Sequence, residues 1–283
     1  MKATHVSSLR AQLSSCFLML ALAISGTPAL ADTTEWAMSE GGRMRVVTLP
    51  SDDDGRIQAV LQIDLKPGWI TYWREPGEAG IPPQISIGPA SGVTLLSMEY
   101  PVPKLIENGD LRDIGYDRPV NIPFVLRALG AAKTRGIKLT AFIGVCQNIC
   151  IPFQADFELG SDKDNVANAE DAEIVQAGRV GLPEAASDDF KVLNFHITPD
   201  KTLLGVQLQL PEDAPKETDI FVAGPAGYAY SEPQNMVRDK RKLSFYMNIK
   251  GLPKDYRAAG KSWGILVKSG ERAMETKLDF PAQ

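Results

Sequence analysis

Between Arg43 and Leu159 apolar and polar residues alternate in short runs punctuated by glycine and proline, and this two-residue period commits the stretch to half-buried strands. Leu61-Gln-Ile-Asp-Leu65 shows it most plainly. Arg45–Leu49, Trp69–Trp73, Val93–Met98, Ile122–Leu126, Lys138–Val145 and Phe153–Leu159 follow, with turns at Lys66-Pro67-Gly68 and Pro76-Gly77. An all-β sandwich over residues 32–160 is the expected result. Beyond Phe190 the alternation returns in Val206-Gln-Leu-Gln-Leu210, in Leu243-Ser-Phe-Tyr-Met-Asn-Ile249 and around Trp263–Val267, which predicts a second, smaller β-sandwich over residues 188–283. The intervening residues 161–187 change texture to Ala, Asp, Glu and Asn and read as a linker, with about two turns of helix around Ala169–Ala177.

The first 31 residues have the build of a signal peptide: Lys2 and Arg10 supply charge, Cys16 to Ile24 an apolar core, and Ala29-Leu30-Ala31 a cleavage site. The expected product is an exported protein starting near Asp32 and residing in the periplasm. No later stretch approaches the roughly 20 apolar residues of a spanning helix, so no membrane span is expected. The chain carries 30 basic and 35 acidic side chains. Losing Lys2 and Arg10 leaves 28 against 35, a balance of −7 that disfavours nucleic acid and anionic lipid as partners.

Cleavage also removes Cys16, leaving Cys146 and Cys150 as a pair in an oxidising compartment. In a continuous strand their Cα atoms would stand about 13 Å apart, too far for a disulfide, so the chain must turn between them. Strand periodicity on both sides and Pro152 favour a hairpin with Gln147-Asn148-Ile149 at its tip over a helical turn. Phe153, Ala155, Phe157 and Leu159 share one face, as do Leu139, Ala141, Ile143 and Val145. Both cysteines then look away from the core, provided that no bulge at Pro152 shifts the register.

Such a pair is open to two readings. A static clip is the usual meaning of a disulfide in a small secreted domain. Closing so short a loop, however, contributes only about 2 kcal/mol. The other reading is thiol–disulfide exchange. No cofactor or metal is expected, because two thiolates do not complete a zinc site and the remaining histidine, His196, lies in the other half of the chain. Gln147, Asn148 and Ile149 bring no cation, so neither thiol is strongly acidified, which suits a site attacked by a partner's thiolate in a docked complex.

The segment Pro67-Gly-Trp-Ile-Thr-Tyr-Trp-Arg-Glu-Pro-Gly-Glu-Ala-Gly-Ile-Pro-Pro83 resembles a motif of the DsbD/ScsB family's N-terminal periplasmic domain. Gly144-Val-Cys-Gln-Asn-Ile-Cys-Ile-Pro152 is similar to its active-site hairpin, and Ile114-Gly-Tyr-Asp117 with Asn121-Ile-Pro-Phe124 falls where that family has a similar segment. The resemblance implies an immunoglobulin-like sandwich. It also implies exchange with periplasmic thioredoxin-like proteins, fed by a membrane electron-transfer protein of the DsbD/CcdA type. The three-residue spacing of the cysteines is closer to the ScsB-like branch, in a stand-alone form without the family's transmembrane and thioredoxin-like parts. That branch also leaves soft-metal handling by the thiols open.

By the same resemblance, Leu105 to Leu111 would form a cap loop, with Ile106 over the sulfurs and Glu107, Asn108 and Gly109 beside it. Tyr72 falls where the family places an aromatic hydroxyl near the cysteines. Glu107, Asp113 and Asp117 are acidic candidates for proton transfer, while Glu75 and Glu78 read as turn residues. For Tyr72 the competing role is sandwich core, which is also the expected role of Trp69 and Trp73. A non-catalytic adaptor or chaperone-like binding protein with a structural disulfide remains the alternative function.

Overall fold

The runs of alternating residues form strands, as described by a computed structural model covering residues 33–77, 80–108, 111–129, 136–160, 169–225, 227–253 and 255–282. The expected signal peptide, Glu78 and Gly109 lie outside the described residues. In chain order the first strands are β1 (Ala37–Met38), β2 (Gly42–Thr48), β3 (Arg56–Leu65), β4 (Ile70–Tyr72), β5 (Gln84–Ile87) and β6 (Val93–Met98). Then come β7 (Lys104–Asn108), β8 (Leu111–Tyr116), β9 (Val120–Ala128), β10 (Ile137–Cys146) and β11 (Cys150–Leu159). They pair into two sheets, β1-β2-β3-β9-β6 and β11-β10-β4-β8-β7, with β5 also on β10.

Alternation decides what lies between these sheets. Met44, Val46, Leu61, Ile63, Ile122 and Phe124 of the first meet Leu139, Ala141, Ile143, Val145, Phe153 and Phe157 of the second in one buried cluster, the core of an immunoglobulin-like sandwich. The opposite face of the first sheet is covered too. Helix α1 (Ala169–Val180) seats Val175 on Val47 and Val60, and Gly178 lies so close to Val60 that an added Cβ would stand 3.0 Å from its methyl. The acidic stretch after the first sandwich therefore carries three turns of packed helix, longer than Ala169–Ala177.

Two sheets follow, built from β12 (Glu184–Ala185), β13 (Lys191–Ile197), β14 (Leu203–Gln209), β15 (Asp219–Ala223) and β16 (Ala229–Tyr230). The remaining strands are β17 (Pro233–Asp239), β18 (Lys242–Asn248), β19 (Ser262–Ser269) and β20 (Arg272–Asp279). The sheet orders are β12-β20-β19-β15-β16 and β13-β14-β18-β17, around a core that includes Val206, Leu208, Phe245, Trp263, Ile265 and Val267. Strands β15 and β19 are buried on both faces. Ile220, Val222, Ile265 and Val267 point into their own core, while Phe221, Ala223 and Leu266 join the cluster of the first sandwich. There Phe221 meets Trp73 with ring centroids 6.1 Å apart, and the next residue, Arg74, stacks on the Trp73 indole and pairs with Glu275.

Candidate functional site: a cysteine pair closed by a tyrosine

The hairpin between β10 and β11 keeps one register from Ile137↔Leu159 to Cys146↔Cys150, without a bulge at Pro152. Pro152 is accommodated because β11 is an edge strand. Cys146 and Cys150 therefore face each other at the mouth of the turn, 4.1 Å apart at Cα, and form a disulfide. Both sit on the face of the second sheet turned away from the core. Their exposure differs sharply: Cys146 is 1 % exposed and Cys150 lies open to solvent.

What buries Cys146 comes from β4 and β7. Ile70 is its cross-strand partner, and Ile70, Tyr72 and Cys146 form a small cluster with Ile106 packed on it. The Tyr72 hydroxyl donates to Cys146 Sγ at 2.8 Å and lies 3.0 Å from Cys150 Sγ. Neither sulfur of a disulfide carries a proton, so the phenol is the donor to both. Tyr72 is itself fully buried. The backbone closes around its ring at two glycines: a Cβ at Gly80 would stand 2.5 Å from Cδ1, and one at Gly144 would stand 3.1 Å from Cδ2. Across β4, Gly115 is opposite Tyr72, and a Cβ there would meet the Thr71 carbonyl oxygen at 2.1 Å.

Asp113 shares the outer face with Gly115, opposite Ile106, and is 3 % exposed. Burial pushes its carboxyl above the usual 3.8. Burial, and after it the Asp113 charge, push the Tyr72 phenol well above 10.0, so the hydroxyl keeps its proton and remains a donor. Asp117 is not part of this group; it turns outward to pair with Lys104. Glu107 is exposed, and Glu75 is partly buried, its carboxyl raised first by burial. Trp73 belongs to the core on the opposite face, whereas Tyr72 is both buried and at the sulfurs, so core and site are one role for this residue.

The expected cap loop is a strand pair. Ile106 and Glu107 belong to β7, and Asn108↔Leu111 closes the hairpin with β8 around residues 109 and 110. Glu107-Asn-Gly-Asp110 reads as a loop because it is rich in turn residues, yet such residues also separate the paired strands of a hairpin. Arg112 of β8 pairs with Glu232, so this hairpin is tied to the second sandwich. A cleft of about 630 Å³ opens between them, lined by Glu107, Arg112, Ile114, Tyr230 and Glu232 among others. A second cavity, about 790 Å³, lined by Thr198, Lys201, Ile249 and Tyr256 among others, holds none of the cysteine-site residues. Among the described residues no three His, Cys, Asp or Glu side chains converge as a metal site, and no helix is long and apolar enough to cross a membrane. His196 stands on the second sandwich, edge-on to Tyr246.

The immunoglobulin-like sandwich thus carries a bonded cysteine pair on its outer face, with one sulfur buried and the other open. Residues 43–162 match the family described as Thiol:disulfide interchange protein DsbD, N-terminal. The fold extends further. The crystal structure of the N-terminal periplasmic domain of ScsB from Proteus mirabilis superposes with a TM-score of 0.73 at 20 % identity, over 89 % of this chain and 100 % of that one. At that identity the likeness is one of fold. No protein of curated function matches the chain.

Proposed function

We propose that the protein is a periplasmic thiol–disulfide relay in which Cys150 is attacked first. The observation that carries this is the asymmetry of the pair: Cys150 is open, while Cys146 is buried with the Tyr72 hydroxyl 2.8 Å from its sulfur. A thiolate of a membrane reductase of the DsbD/CcdA type attacks Cys150 Sγ. The S–S electron pair passes to Cys146 Sγ, which leaves as a thiolate and accepts the Tyr72 hydrogen bond. The Cys146 thiolate gains a proton as the reductase's second thiolate attacks its own mixed-disulfide sulfur, releasing Cys150 and completing a two-electron reduction. The dithiol then repeats the exchange in reverse on the disulfide of a thioredoxin-like protein.

Ile106 supports this reading, since an apolar side chain packed on the tyrosine and the buried cysteine shields Cys146 from stray thiols and leaves Cys150 as the point of attack. Trapping tests it. In the native compartment, Cys146→Ser should accumulate mixed disulfides through Cys150, and Cys150→Ser should accumulate far fewer. Absence of adducts from both variants would instead favour an adaptor whose disulfide pins a hairpin.

A further inference from the structure

Ile149 is 76 % exposed, an unusual position for a large aliphatic side chain in a sandwich whose other large apolar residues are mostly buried. It precedes the open Cys150 directly. Gln147 and Asn148 complete the tip and are exposed as well. The turn of Lys66, Pro67 and Gly68 lies alongside, close enough that a Cβ on Gly68 would stand 2.9 Å from Gln147 Nε2. Lys66 and Pro67 are exposed. This rim contains no carboxylate from 66 to 70 or from 146 to 154, in a chain where acidic residues outnumber basic ones 35 to 30.

Exchange at Cys150 brings a partner's sulfur to within about 2.05 Å of its own. The side chain one residue away is then covered by that partner. We infer that Ile149, with Pro67 and the uncharged Gln147–Asn148 tip, is the docking contact for a protein whose reactive thiolate lies in an uncharged, apolar dent, as in thioredoxin-like proteins. This rests on the exchange reading above and adds to it the surface that selects the partner.

The test compares reduction of the oxidised full-length protein by reduced thioredoxin and by dithiothreitol, for wild type, Ile149→Asn and Ile149→Leu. Burying an aliphatic side chain is worth about a tenfold change in rate or more. Ile149→Asn should slow thioredoxin about tenfold while leaving the dithiothreitol rate within about twofold, and Ile149→Leu should retain the wild-type rate with both. Unchanged thioredoxin kinetics for Ile149→Asn, or equal slowing with both reductants, would overturn the inference. If wild type exchanges with dithiothreitol and with no protein thiol, the exchange reading itself fails.

Discussion

A Cβ on Gly80 would stand 2.5 Å from Cδ1 of Tyr72, nearer than van der Waals contact permits. Gly80 and Gly144 let the backbone close on both sides of the ring and fix where its hydroxyl points. Gly80→Ala must therefore push either the ring or the backbone segment at Gly80 outward. Overpacking of this kind costs about 1–3 kcal/mol. A lower urea midpoint together with faster alkylation of reduced Cys146 is the expected result; a lower midpoint alone would mean that the segment yields and the ring stays.

Tyr72→Phe removes only the hydroxyl. The ring keeps its seat, so stability should change little, while the thiolate of Cys146 loses its donor. Hydrogen bonds to charged groups contribute about 1.5–3 kcal/mol, which corresponds to at least one pH unit in the thiol pKa. Thiolate absorbance against pH in the reduced protein should show the first cysteine titrating about one unit higher than in wild type.

Asp113 gives the pH dependence of stability a definite sign. Its folded carboxyl holds a proton more tightly than the ordinary value of 3.8, because it is buried. As pH rises above 3.8, the unfolded chain releases that proton first, so the folded state loses relative stability until the raised pKa is passed. Below 3.8 the contribution is constant. Asp113→Asn should remove this loss, and urea unfolding across that window should show the variant gaining on wild type and then levelling off. Glu75, also raised by burial, adds a loss of the same sign that remains in the variant.

Trp73 is shared by both sandwiches. Trp73→Ala opens a cavity facing Phe221, and large aromatic deletions of this kind cost about 3–5 kcal/mol. Calorimetry of the wild type should show one cooperative transition, and the variant should resolve into two.

The first sandwich is legible in the sequence because its strands obey a period of two with clean turn punctuation; Val93–Met98 is read at its observed ends. The cysteine face is legible for the same reason, since parity carries through an unbroken register from Ile137 to Cys146. The closure of the Tyr72 ring is not. Gly80, Gly115 and Gly144 look like ordinary turn or strand glycines until the topology brings a tyrosine from another strand against them. The junction of the sandwiches is hidden differently. Ile220-Phe-Val-Ala223 is a continuous apolar run, and a strand buried on both faces shows no alternation to read. Asp219–Ala223 therefore escapes a reading by alternation, and with it the surface that receives Trp73.

The match to the DsbD family ends at residue 162, well before Phe221, Ala223 and Leu266 complete the cluster that holds Trp73. A fragment trimmed to the family match would present an indole and its apolar surroundings to water, one residue from the tyrosine on the sulfurs. Such a fragment would be prone to aggregate, and its redox behaviour would be a poor guide to the intact protein's.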